Sequence, residues 1–202
     1  MSDGAPLREV VVATSNPGKL REIRAILRGL PLAIVGLDAV PEVHFPEEGD
    51  DYEANARVKA EAVATCSGRL AVADDSGLEV EGLGGAPGPS SARYGGPALD
   101  DAGRVAHLLE QMQSLAGDAR RARFVCVAAL ATPEGDVVTA RGECAGRIRK
   151  EPVGGEGFGY DPVFEVEGDT RAMAQLSPAE KNRISHRARA FRALRESLLQ
   201  LA

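Results

Sequence analysis

At 202 residues and 44% hydrophobic composition, the chain can bury a substantial core as one domain, or as two lobes sharing one sheet. Its formal net charge of -6 opposes general nucleic-acid binding, which needs a positive field to offset phosphates, so any anionic ligand has to be met locally. Cys66, Cys126 and Cys144 are odd in number, far apart and without a CxxC pair, which supports neither a disulfide framework nor a zinc knuckle and fits a reducing cytosol.

The opening MSDGAPLREV lacks a basic flank before a long apolar segment, and no stretch approaches the roughly 20 apolar residues of a membrane span. The expectation is a soluble, cytoplasmic protein with no membrane or nucleic-acid partner. Residues 10–14 predict a short buried strand. Leu20, Ile23, Ile26, Leu27 and Leu30 then recur at helical spacing, with Gly29 and Pro31 as stop signals. Between them, NPGK opens the helix as a phosphate loop would. A Walker loop, however, needs a glycine five positions before the Gly-Lys pair and a Ser or Thr straight after it. Ala13 and Leu20 stand there instead. The segment is therefore either a plain strand-to-helix turn, or a phosphate loop of another kind in which Lys19 and the unpaired N–H groups of the helix start attract an anion.

Residues 32–37 read as a second strand and residues 38–51 as a loop rich in proline and acid. Residues 52–66 are Ala-rich and helix-prone, with Lys59 in the middle. The apolar run 70–73 stops abruptly at Asp74-Asp75-Ser76-Gly77, and after a short run at 78–80 comes GLGGAPGPSSARYGG, too rich in glycine and proline for regular structure. Residues 98–115 predict a helix, and 124–131 with 137–143 a hairpin joined by Thr132-Pro133-Glu134-Gly135. GGEGFGYDPVF is a second glycine-rich segment. Ser177, Pro178 and Glu180 form a capping box for a C-terminal helix, and Ser185 offers a second cap that leaves His186 and Arg187 in a first turn. Strands and helices in alternation, then a hairpin, give an α/β fold around a mixed sheet flanked by helices.

Carboxylates at strand ends converge easily on Mg²⁺, which prefers hard oxygen ligands and keeps waters and substrate phosphates as the others. Glu47-Glu48 and Asp74-Asp75 are the candidates; the alternative for the second pair is a solvated turn capped by Asp75. Lys19, Lys59 and Lys181 are the complementary cations, or plain exposed charges on helices. Phe158-Gly159-Tyr160-Asp161 offers flat rings, a glycine allowing close approach and a carboxylate able to accept from a base N–H. It reads as a nucleobase clamp or as a core aromatic pair beside a turn.

TSNPGK, the PEEG loop followed by YEANARVKA, ADDSGLEV, LGGAPGPSSARYGG, GFGYDPVF and EKNRISHR occur in an order that resembles the inosine triphosphate pyrophosphatase family. The resemblance runs through nearly the whole chain. It implies one domain over residues 1–202: an elongated mixed sheet in two lobes with the active site in the cleft between them. It also implies Mg²⁺-dependent hydrolysis of ITP, dITP and XTP to the monophosphate and pyrophosphate, and a homodimer. In that frame Thr14, Ser15, Asn16, Pro17, Gly18 and Lys19 hold the triphosphate together with Lys59. Asp75 is the base that orients water and a metal ligand, and Ser76 touches substrate. Phe158, Gly159, Tyr160 and Asp161 hold the base, with Lys181, His186 and Arg187 around its keto edge. In the register Pro46-Glu47-Glu48-Gly49, the metal ligand is expected at Glu47, with Glu48 as the alternative. A Maf-type pyrophosphatase acting on pyrimidine or modified nucleotides, and a nucleotide-binding regulator without catalysis, stand as alternatives.

Overall fold

The computed structural model describes residues 7–201, so the opening MSDGAP segment lies outside them. Seven strands form one sheet in the order β2-β1-β3-β5-β6-β7, with the short β4 beside β3. The chain runs β1 (Arg8–Val12), α1 (Pro17–Ile26), β2 (Leu32–Val35), α2 (Tyr52–Ser67), β3 (Leu70–Val80), β4 (Pro87–Gly88) and α3 (Asp101–Gln111). It continues through β5 (Arg121–Ala131), β6 (Val137–Ile148), β7 (Phe164–Val166), α4 (Pro178–Ile184), α5 (His186–Ala193) and α6 (Arg195–Gln200). β1 is parallel to β2 and β3, which requires crossover connections, and α1 and α2 supply them. From β3 onward every pairing is antiparallel, so the sheet is mixed, as expected.

The helices begin and end where local chemistry dictates. Pro17 occupies the first position of α1, and Asn16 Oδ1 accepts from Gly18 N and Lys19 N at 2.8 and 3.1 Å. Asp51 caps α2 through Ala54 N at 2.7 Å, and Gly68, at φ 64°, closes it in the left-handed conformation that glycine adopts without a Cβ penalty. α2 lays Ala56, Ala60, Val63 and Ala64 against Val11, Ala71, Ala73 and Val127 on one face of the sheet. α1, α5 and α6 cover the other face, where Ile23, Leu27, Phe191 and Leu198 bury with Val10, Val12, Val72 and Leu130. A third cluster, including Leu78, Leu108, Phe124, Tyr160 and Phe164, packs under α3 at the far end of β3 and β5. Burial of each large aliphatic side chain is worth about 1.5–3 kcal/mol.

Three expectations need correction. DDSG does not stop a strand: β3 continues through it as one stretch from Leu70 to Val80, paired with β5 from Ala71 to Val80. Gly77 is needed for close approach rather than for a turn, since a Cβ there would sit 2.1 Å from Gly88 O of β4. The C-terminal segment is three short helices; the cap signal at Ser185 foretold the second, and the separate third was not expected. Ser185 is extended (φ -64°, ψ 153°) and its Oγ accepts from Ala188 N at 3.2 Å, so it ends α4 and starts α5. The Gly/Pro-rich segment after β3, expected to lack regular structure, is built from a 3-10 turn at Glu81–Leu83, the short β4 and a 3-10 helix at Pro89–Arg93.

Candidate active site

β3 carries the centre of the site because one of its flanks is partly open. β5 pairs along one side, while on the other β1 takes Leu70–Val72 and β4 takes only Leu78 and Glu79. Between those two partners lie Asp74, Asp75 and Ser76. Side chains alternate across a strand, so the two adjacent acids leave opposite faces of the sheet.

Asp74 turns toward α1 and α5. Its Oδ2 meets Lys19 Nζ at 3.1 Å and accepts from Arg187 NH2 at 3.0 Å, while Arg187 NH2 also donates to Ser76 Oγ at 2.9 Å. Burial alone would raise this carboxyl, but Arg187, Lys19 and Lys59 outweigh burial and hold it well below the usual carboxylate range. Arg187 also donates to Glu22 Oε2 at 2.6 Å, and the other Glu22 oxygen pairs with Lys181 Nζ at 2.8 Å. Lys181 in turn pairs with Asp161, whose Oδ2 accepts from Phe158 N at 2.9 Å. An unbroken chain of charges thus links β3, α1, α4, α5 and the FGYD loop.

Asp75 turns toward α2. Asn55 Nδ2 donates to Asp75 Oδ2 at 2.9 Å and Lys59 Nζ to Asp75 Oδ1 at 3.1 Å. Asn55 also clasps Gly49, donating to its carbonyl at 2.9 Å and accepting from its N–H at 2.8 Å. That clasp turns Glu48 inward, where Oε1 accepts from Lys59 Nζ at 2.7 Å and Oε2 from Arg93 NH1 at 3.2 Å. Glu47, the preceding residue, is exposed. The inward carboxylate of the acidic loop is therefore Glu48 and not Glu47. Burial pushes the Asp75 carboxyl up, against the opposing effects of Lys59, Asn55 and Lys19.

Both networks open into one cavity of about 320 Å³. Of the residues singled out in the sequence, Asn16, Lys19, Asp75, Ser76, Phe158, Gly159, Tyr160, Asp161, Lys181, His186 and Arg187 line it, as does Glu48. Thr14, Ser15, Pro17, Gly18, Lys59 and Glu47 do not. Lys59 lies behind Asp75 and Glu48, and Gly18 lies behind Phe158, where an added Cβ would meet Phe158 Cδ1 at 2.8 Å. The N–H groups of Gly18 and Lys19, expected to be free for an anion, are taken by Asn16 Oδ1, and Asn16 N donates to Thr14 Oγ1 at 3.2 Å.

The two aromatic rings of FGYD have different fates. Tyr160 is a core residue whose hydroxyl donates to Ser91 O at 2.9 Å, while Phe158 is half-buried beneath Lys181 Nζ, 4.7 Å from its ring centroid. Asp161 is buried and committed to Lys181 and the Phe158 backbone. His186 stacks on Phe124, with ring centroids 4.7 Å apart, and its Nδ1 is buried without a partner. Burial, then the neighbouring cations Arg187 and Lys181, hold its imidazole well below the ordinary 6.5, so it is neutral at pH 7.

Asn55, Glu22 and Arg93 were missed in the sequence. Asn55 lies four residues before Lys59 and Glu22 three after Lys19, the spacings that put side chains on one helix face, and that was the available signal. Nothing local marks Arg93.

Glu48 and Asp75 present hard carboxylate oxygens within reach of one ammonium group, which fits a divalent cation of the Mg²⁺ class that completes its shell with phosphate and water. Among the described residues no group of three His, Cys, Asp or Glu side chains is arranged to hold a metal alone, so such a cation depends on the phosphates.

Fold and site together define an α/β protein with a cleft of paired cations and carboxylates at the open flank of its sheet. The chain belongs to the Ham1 family, whose family model matches residues 10–197. A dITP/XTP pyrophosphatase of Streptomyces coelicolor is 48% identical over 193 residues, covering 93% of this chain and 96% of the relative. One from Deinococcus deserti is 48% identical over 197 residues, covering 96% and 92%. Among solved structures, a HAM1 protein from Coxiella burnetii superposes with a TM-score of 0.84 at 38% identity, covering 96% of this chain and 99% of that one. A nucleoside-triphosphatase, dITP/XTP pyrophosphatase from Mycobacterium abscessus does so at 0.73 and 44% identity, covering 92% and 98%.

Proposed function

We propose that the protein hydrolyses deaminated purine nucleoside triphosphates, ITP, dITP and XTP, to the monophosphate and pyrophosphate. The observation that carries this is one cavity lined by the Asp75 and Glu48 carboxylates, by His186, and by Lys181 and Arg187 over the ring of a half-buried Phe158. Relatives sharing nearly half of the sequence bear the name dITP/XTP pyrophosphatase.

Phosphoanhydride hydrolysis needs charge neutralisation and an oriented water more than covalent chemistry, so no nucleophilic Ser or Cys is required. Lys19, on the first turn of α1, meets the triphosphate, and its Asp74 partner holds it in place. Lys59 bridges Glu48 and Asp75 and keeps both carboxylates aimed at the same point. Asp75, whose proton affinity burial raises, accepts hydrogen from the attacking water. Mg²⁺ held by Glu48, Asp75 and the phosphates would neutralise the charge that develops on the phosphoryl oxygens.

Base identity is read by a separate set of residues in the same cavity. Phe158 stacks on the purine, while Lys181 and Arg187 possess donors only. They pair with the 6-oxo oxygen of hypoxanthine or xanthine and oppose the 6-amino group of adenine, a mismatch that can cost factors up to about 10⁴. The protein works as a cytoplasmic homodimer of two-lobed subunits in this reading. Among the described residues no helix is long and apolar enough to cross a membrane, which is in keeping with that location.

The test is pyrophosphate release from ITP, XTP, dUTP, ATP and GTP with Mg²⁺. Rapid turnover of ITP and XTP with little of ATP is the expected result. Equal rates on ATP and ITP, or none on any, would sink the proposal, and a pyrimidine preference would replace it with a Maf-type activity.

A further inference from the structure

ITP, XTP and GTP share the 6-oxo oxygen and differ at C2, where they carry hydrogen, oxygen and an amino group. Lys181 and Arg187 therefore cannot tell them apart. One cation of the cavity wall stands outside their network: Arg104, in the first turns of α3. The other cations on that wall each have a close carboxylate, Lys19 with Asp74 at 3.1 Å, Lys181 with Glu22 at 2.8 Å and Arg187 with Asp74 at 3.0 Å. Arg104 has only a 3.5 Å contact to Asp101 Oδ1, and its Nε is buried without any partner. Its terminal N–H groups, held only by that 3.5 Å contact, are the donors it can offer to a ligand acceptor in the cavity.

Its location is coupled to the base-holding loop. The other oxygen of Asp101, Oδ2, accepts from Gly159 N at 2.8 Å, so α3 is tied to the residue between Phe158 and Tyr160 and carries Arg104 with it. Arg104 and the residues proposed to read the 6-oxo oxygen thus face one space from different elements. On a purine, C2 and C6 flank N1, so groups reading the two positions must likewise approach a common edge from two sides.

We infer that Arg104 is the residue that discriminates the C2 substituent, donating to the 2-oxo oxygen of xanthine and opposing the 2-amino group of guanine. Hypoxanthine, with hydrogen there, is neither rewarded nor penalised. This rests on the base position of the proposed function, and it supplies the rejection of GTP that the 6-oxo readers do not.

The test compares kcat/KM for XTP, ITP and GTP in the wild type, Arg104→Met and Arg104→Gln. In Arg104→Met, which keeps the apolar stem and removes the donors, the XTP to ITP ratio should fall about ten- to a hundredfold, the factor a lost hydrogen bond to a charged group carries. The GTP to ITP ratio should rise. If the wild type hydrolyses ITP and XTP but both ratios in Arg104→Met stay within about twofold, Arg104 is overturned and the function stands. If the wild type hydrolyses none of the three, the function itself fails and Arg104 with it. Should Arg104→Met not fold by circular dichroism, Arg104→Gln decides: its uncharged amide can turn an acceptor toward C2, so the XTP to ITP ratio must fall and the GTP to ITP ratio rise, and unchanged ratios overturn the inference.

Discussion

Asp74 and Asp75 are neighbours in the chain, yet Asp74 pairs with Arg187 at 3.0 Å on one face of the sheet and Asp75 with Lys59 at 3.1 Å on the other. The first is enclosed by fixed cations, and the second faces the acidic loop. Their substitutions should separate stability from catalysis. Asp75→Asn should lower kcat for ITP about 10²–10⁴-fold, the contribution of a positioned base, with an unchanged unfolding midpoint in urea. Asp74→Asn leaves Arg187 and Lys19 short of a buried counter-charge and should cost about 3–5 kcal/mol of stability. A catalytically dead but equally unstable Asp75→Asn would contradict this division.

Acid should destabilise the protein through Asp74. Its folded-state carboxyl lies below the ordinary 3.8, because Arg187, Lys19 and Lys59 outweigh burial. The folded state therefore binds fewer protons than the unfolded state near that pH. The resulting stability is fully present above about pH 4 and is lost as pH falls toward the depressed folded value. Glu22, also held below its ordinary 4.5 against burial by Arg187 and Lys181, acts with the same sign. Urea unfolding at successive pH values should show a steep acid decline in the wild type and a shallower one in Asp74→Asn.

Glu48 and Glu47 should differ in metal dependence. Glu48→Gln removes the inward carboxylate and should raise the Mg²⁺ concentration for half-maximal turnover about tenfold or more. Glu47→Gln should leave that concentration within about twofold, since an exposed carboxylate contributes little. Mg²⁺ titrations of turnover compare them, and the reverse order would return the ligand to Glu47.

The contact of Gly18 with Phe158 predicts a binding defect from one added methyl. A Cβ at Gly18 would lie 2.8 Å from Phe158 Cδ1 and 3.0 Å from Asn16 Oδ1, so the ring or the cap must move. Overpacking of this kind costs about 1–3 kcal/mol. Gly18→Ala should raise KM for ITP, and Phe158→Ala should weaken nucleotide binding by about 1–3 kcal/mol through lost stacking. Steady-state kinetics and equilibrium titration with IMP check the pair.

Local chemistry was legible wherever a residue acts on its own neighbourhood. Asn16 and Pro17 start α1, Ser177 and Glu180 box the start of α4, Ser185 caps α5, and the β5–β6 hairpin lies where its turn signal put it. DDSG was misread because an acid pair followed by glycine has the composition of a turn. Only the pairing of β5 along its whole length and the approach of Gly88 show that it is strand.

The sequence by itself determined the fold class, the family resemblance and nearly all the residue types gathered around the cleft, because periodicity, caps and motif order are properties of neighbouring residues. Tertiary structure decided which charges meet. Arg187 reaches Glu22 across 165 residues and Asp74 across 113. Glu48 rather than Glu47 turns inward because Asn55 clasps Gly49. Arg104 joins the cavity because Asp101 bonds to Gly159, 58 residues away. Such choices depend on side-chain directions set by packing between elements, and no local pattern encodes them.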